Sequence, residues 1–119
     1  MLQGLIRWRK QQDQQGVTGL FRDGTPQATV EIEIGDQTKS ATVTGNGPVD
    51  AAYKAINQIA NVDVTLMEYL VQAIHGGSDD FGKVHVQILY HDNVYYGFGT
   101  DTDIIQASAQ AYLDAINKI

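Results

Sequence analysis

The sequence predicts an α+β fold built from two βββα units. Three observations carry this reading. Two stretches alternate apolar and polar residues, two others repeat apolar residues at helical spacing, and the second set of stretches echoes the first. Residues 1–15 are polar and glutamine-rich and read as a connecting segment or a helical remnant. Residues 16–21 suit a short first strand, closed by the turn signal Asp23-Gly24-Thr25-Pro26. Ala28, Val30, Ile32 and Ile34 then face one way and Thr29, Glu31 and Glu33 the other, the pattern of a half-buried strand. Gly35-Asp36 turns the chain, and residues 37–43 return as a hairpin partner.

A helix should follow the run Gly45-Asn46-Gly47-Pro48. Proline suits the first helical position, where its missing N–H costs nothing. Asp50 falls in the first turn, where its charge complements the helix dipole. Residues 62–74 are ambiguous, because Leu66, Tyr69, Leu70, Ala73 and Ile74 also fit a helix; strand is the preferred reading. After a break at residues 76–80, Val84, Val86, Ile88 and Tyr90 alternate with polar neighbours. Asp92-Asn93 turns, residues 94–99 return, and Asp101 or Thr102 caps a last helix running to about Lys118. A slide of 56 residues superposes the alternating strands, Ala28 on Val84 through Asp36 on Asp92. The helices match at a slide of 60, which implies a four-residue insertion, about one helical turn.

At 119 residues the length fits one domain. The net charge of −6 is uneven: residues 1–24 hold four basic residues against two acids, and the rest hold four lysines against twelve acids. So acidic a body repels a phosphate backbone, which argues against nucleic acid as a partner. With no cysteine there is no disulfide, thiolate nucleophile or cysteine metal site. No apolar run reaches the ~20 residues of a membrane span, and the N-terminus lacks the order of a signal peptide. A cytoplasmic, membrane-free protein is expected.

The motifs favour binding over reaction. Gly45-Asn46-Gly47 lacks the third glycine of a dinucleotide fingerprint and the lysine of a P-loop. It allows either a tight strand-to-helix turn or a small-anion site at a helix start. Ala107, Ser108, Ala109, Ala111 and Ala115 make the second helix rich in small residues, as close helix packing requires. His85 and His91 share a strand face that otherwise reads as polar, so they are surface histidines before they are metal ligands. The acidic pairs Asp79-Asp80 and Asp101/Asp103 suit loop solvation and helix capping. Tyr69 among apolar residues suits either a core or the wall of a small-molecule pocket. No catalytic residue, metal site or cofactor is expected.

Several of these motifs occur together, in order, in one known family. They are Gly45-Asn46-Gly47-Pro48-Val49-Asp50-Ala51 before a helix, a middle strand with Tyr69 and Ala73, and the loop Gly76-Gly77-Ser78-Asp79. Last comes Thr102-Asp103-Ile104-Ile105-Gln106-Ala107-Ser108, continuing through Ala111-Tyr112 to Ala115-Ile116-Asn117. Over residues 28–119 the chain resembles the C-terminal regulatory domain of 2-isopropylmalate synthase, and the regulatory domain of citramalate synthase is similar. The resemblance implies an amino-acid-binding domain of two βββα repeats (about 28–61 and 62–119), preceded by a connector over 1–27. It implies a homodimer that binds leucine, or isoleucine in the citramalate relative, near its interface. The ligand would slow an attached acetyl-CoA-dependent acyltransferase barrel that this chain does not contain. Carried over by position, Gly45, Asn46, Gly47, Pro48, Val49 and Asp50 would line one side of the effector. Leu66, Tyr69 and Ala73 would hold its side chain, with Asp80, Thr102 and Ile104 closing the site. Asp80 stands where the family has a small apolar residue, and Asp101 adds an acid nearby. A purely structural dimerisation module without ligand is the alternative.

Overall fold

The computed structural model describes residues 6–8, 26–34, 36–76 and 79–119, with backbone alone at 6–8, 75–76 and 79–80. The chain divides into two compact units, Met1–Val62 and Asp63–Ile119. Each is an α+β unit of one three-stranded antiparallel sheet and one helix.

In the first unit, β1 (Ile6–Trp8), β2 (Gln27–Ile34) and β3 (Gln37–Thr44) lie in that order, followed by α1 (Pro48–Ala60). The first strand therefore lies at Ile6–Trp8, within the segment expected to be a polar connector. The strand expected at 16–21 falls outside the described residues. Alternation along β2 works as predicted: Ala28, Val30 and Ile32 are fully buried, while Thr29, Glu31 and Glu33 face outward. Helix α1 packs over β2 and β3 through Ala51, Ala52, Tyr53, Ala55 and Ile56, all buried. Burial of each valine or isoleucine contributes roughly 1.5–3 kcal/mol. The helix ends at Asn61, whose positive φ of 55° stops the turn, with its N–H bonded to the Asn57 carbonyl.

The second unit has β4 (Thr65–Gly76), β5 (Asp79–Tyr90) and β6 (Asn93–Asp101) in that order, then α2 (Ile104–Ile116). The ambiguous segment is thus a strand, and a bulge between Leu66 and Glu68 explains its helix-like spacing. The extra residue, Met67, puts Leu66 opposite Ile88 and Tyr69 opposite Val86, so residues three apart share one face. Asp79 and Asp80 belong to β5 instead of the preceding break. The β5–β6 turn is His91-Asp92, both with positive φ (49° and 65°), one residue earlier than expected. Helix α2 lies over β5 and β6 and, among the described residues, leaves much of β4 exposed. Gly97 and Gly99 permit this: a Cβ on Gly97 would collide with the backbone of Ala111, and one on Gly99 with that of Ala107. The alanines of α2 are therefore contact surface as well as helix formers.

The repeat carries no insertion. β2 begins at 27 and ends at 34 against 90 for the end of β5, β3 begins at 37 against 93 for β6, and α1 spans 48–60 against 104–116 for α2. Every one of these matches is a shift of 56. The slide of 60 seen in the helix sequences moves four residues along one helix face, so it matches buried alanines to buried alanines one turn out of register. No helix among the described residues is long and apolar enough to cross a membrane.

Candidate functional site

The two helix starts differ in chemistry. In α1 the N-cap is Gly47, which has no side chain to bond the first N–H groups, and Pro48 follows at the first helical position. Asp50 reaches back instead, accepting a hydrogen bond from the Asn46 N–H at 2.8 Å and pairing with Lys54 at 3.1 Å. The Asn46 bond holds the Asp50 carboxyl below its ordinary range; burial opposes it, and Lys54 adds smaller lowering contributions. Gly45 anchors the approach, its N–H donating to the Pro26 carbonyl at 3.1 Å. A side chain at Gly45 would press on Asp50 and on the backbone of Ala51, so the turn is tight for steric reasons. Gly45 to Asp50 thus form one contiguous surface within the first unit. The α1 start lacks a side-chain cap, and the Asp50 carboxylate in its first turn already complements part of its dipole.

The start of α2 is already satisfied. Asp103, neither Asp101 nor Thr102, is the N-cap, and its carboxylate accepts from the Ile105 N–H at 2.8 Å. Asp101 supports it, accepting from the Asp103 N–H at 2.9 Å and from Gln110 at 3.3 Å. Thr102 is exposed and donates to Asp101 at 3.4 Å. An acid in the cap makes this end a poor site for a second anion.

Three of the expected wall residues come together in the second unit. Leu66, Tyr69 and Ala73 lie opposite Ile88, Val86 and Gly82, on the face of the sheet that carries α2. Because the helix covers only β5 and β6, Leu66 and Tyr69 are still 40% and 37% exposed. Ile104 joins them by occupying the space above Gly82 that a Cβ would need. The result is an apolar shelf beside the first turn of α2. The Tyr69 hydroxyl ties the shelf to the helix, 2.7 Å from the Ser108 hydroxyl. Ser108 spends its own proton on the Ile104 carbonyl at 2.7 Å, so Tyr69 is the donor to Ser108.

Ser108 was not among the expected site residues. Its signal lay in the repeat: it is the polar counterpart, 56 residues on, of Ala52. Asp80 pairs with His75 through the β4–β5 backbone, and its side chain lies outside the described residues. Among the described residues no group of three or more His, Asp or Glu is placed to hold a metal ion.

Residues 10–119 match the family described as the LeuA allosteric (dimerisation) domain. The 2-isopropylmalate synthase of Parabacteroides distasonis is 49% identical over 92 residues, which cover 76% of this chain and 18% of that protein. The synthase of Aromatoleum aromaticum is 46% identical over 95 residues, covering 80% and 19%. That of Erwinia tasmaniensis is 41% identical over 92 residues, covering 77% and 18%. The chain therefore spans under a fifth of the length of these relatives. With a capped and an uncapped helix start on repeated βββα units, and a match across nearly its whole length, the chain belongs to the LeuA allosteric (dimerisation) domain family.

Proposed function

We propose that the chain is the feedback-regulatory domain of a 2-isopropylmalate synthase and that, as a cytoplasmic homodimer, it binds leucine near the dimer interface. Residues 28–119 form the amino-acid-binding part, and residues 1–27 serve as the connector and supply the first strand. The chain itself performs no catalysis. The ligand prefers one arrangement of the dimer and so biases the attached acyltransferase barrel. The observation that carries this reading is the helix start at Gly47, uncapped by any side chain and next to the Asp50 carboxylate. An amino acid offers the complementary pair, a carboxylate for the helix end and an ammonium for the acid. Taken by itself, the second unit offers in Leu66, Tyr69, Ala73 and Ile104 an apolar shelf of the character a branched side chain needs.

One observation favours the second reading, a dimerisation module without ligand. Asp50 already serves Asn46 and Lys54, so it has less to offer an ammonium. Isothermal titration of the full chain with leucine, isoleucine and valine, with glycine as blank, separates the two. Saturable binding of leucine that disappears in Gly47→Asp supports the sensor. This variant puts an acid at the α1 cap where nothing lies within 4 Å of a new Cβ. Flat traces from a folded dimer leave the structural module. Preference for isoleucine moves the assignment to a citramalate synthase.

A further inference from the structure

On the side of the sheet away from the helix, the second unit trades polar residues of the first for apolar ones: Glu33, Ser40 and Thr42 become Leu89, Tyr96 and Phe98. On the helix side it makes an exchange in the opposite sense. Ser108 stands where the first unit has Ala52, and each is only 1% exposed. The first unit shows that a βββα unit packs its helix with a methyl group at this place, so the hydroxyl is not a requirement of the scaffold. Serine is the weaker helix former, and a buried hydroxyl costs free energy unless it is hydrogen-bonded. Two partners of Ser108 belong to the apolar shelf. Its oxygen accepts from Tyr69 at 2.7 Å, and its proton goes to the Ile104 carbonyl at 2.7 Å.

We infer that Ser108 is the positioning residue of the shelf: by holding the Tyr69 phenol against the first turns of α2, it fixes the gap between Tyr69 and Ile104 and so sets which side-chain shapes the shelf accepts. This rests on the reading of the chain as an amino-acid sensor and names the residue behind its selectivity. The floor of the gap is already set by backbone. Val71 and Ala73 lie between the two walls on β4, and Ala73 pairs with Gly82, above which the Ile104 side chain sits. Ile104 is fixed as the first residue of α2. Tyr69 has no such support from its strand: β4 is at the sheet edge, a bulge immediately precedes Tyr69, and the residue is 37% exposed. A tyrosine in such a place has other staggered χ1 positions that swing the ring off the sheet into water. The Ser108 bond selects the one that keeps the ring beside the helix. Because the Ile104 carbonyl orients the Ser108 hydroxyl, one short chain of hydrogen bonds ties both walls together. A wall fixed in advance discriminates by shape, since it does not move to meet a side chain that fits badly.

The test is isothermal titration of the full chain with leucine, isoleucine and methionine, whose side chains are similar in volume but different in shape. The parent should bind one of the branched pair ahead of methionine. Ser108→Ala copies the residue of the first unit, so the helix keeps its packing, and it should weaken the preferred branched amino acid about fivefold, the worth of one hydrogen bond. Methionine is flexible enough to follow a mobile wall and should lose less, so the preference narrows. Tyr69→Phe keeps the ring and removes the same bond. It should act alike, and the double variant should bind no worse than either single one. Urea unfolding of each variant separates a loss of stability, which leaves the order of preference alone, from a loss of positioning. A discriminating parent whose preference survives Ser108→Ala overturns the inference and leaves the sensor reading intact. Losses that multiply in the double variant also overturn it, because Tyr69 then acts on the ligand independently of Ser108. A parent that binds neither branched amino acid ahead of methionine overturns both.

Discussion

Ala41 and Val43 on β3 occupy the positions that Gly97 and Gly99 occupy on β6, and Gly47 caps α1 where Asp103 caps α2. The inner residues of the central strands, by contrast, are matched: Ala28, Val30 and Ile32 against Val84, Val86 and Ile88, all buried. The two units thus share the central strand of the layer that folds them and differ in how the next strand meets its helix, at the helix end and on the outer face. Packing a helix on a sheet constrains the inner face tightly, because a buried methylene added or lost is felt at once. The helix end and the outer face are free to specialise. One unit keeps an open helix end and a wet sheet; the other closes its helix end and presents an apolar sheet.

Exchanging residues between the units tests how far the equivalence extends. The largest effect is expected from Gly97→Ala with Gly99→Val, which puts the β3 residues under α2. The added atoms meet helix backbone, which cannot move aside as a side chain can. About 4 kcal/mol of stability should be lost, as two overpacked sites, measurable as a shifted urea midpoint. The inner faces should instead behave alike. Ile32→Ala and Ile88→Ala each remove a fully buried side chain and should each cost about 3 kcal/mol. A difference between them far beyond 1 kcal/mol would show that one core collapses around the cavity and the other does not.

Smaller effects belong to the helix ends. Asp103→Ala removes the α2 cap and should cost about 1 kcal/mol, again by urea titration. At α1 the expected effect is smaller and depends on pH. The Asp50 carboxyl sits below its unfolded value of 3.8, so its contribution is complete above that pH and is lost as pH falls through the lower, folded value. Both partners of the Asp50–Lys54 pair are about half exposed, so screening keeps the gain small. The stability difference between the parent and Asp50→Asn should be flat at neutral pH and vanish in acid below 3.8. A difference that persists there would mean that the asparagine itself disturbs the turn.

Alternation, a proline-led helix and the repeat were legible in the sequence because each is a local property of the chain. The ambiguity at residues 62–74, correctly read as strand, and the errors share a cause as well. Tyr69 and Leu66 looked helical because a bulge, which depends on the partner strand, reset the phase between them. His85 looked as if it lay on a polar face because its neighbours along β5 include Gln87; across the sheet it faces Leu70 and Phe98. The α2 cap was misassigned among Asp101, Thr102 and Asp103 because adjacent polar residues are all competent caps until the backbone chooses one. The Tyr69–Ser108 bond joins residues 39 apart and has no local trace.

The bulge at Met67 has a consequence for solubility. β4 is an edge strand twelve residues long, apolar on both sides and free of proline, the form most prone to recruit stray strands from other molecules. Met67 breaks its regular row of backbone donors and acceptors near one end, and Glu68 sets a charge beside the break. Deleting Met67 would straighten the strand and leave a longer unbroken template. Slow, concentration-dependent precipitation of that variant, with its native secondary structure retained, is the signature to look for.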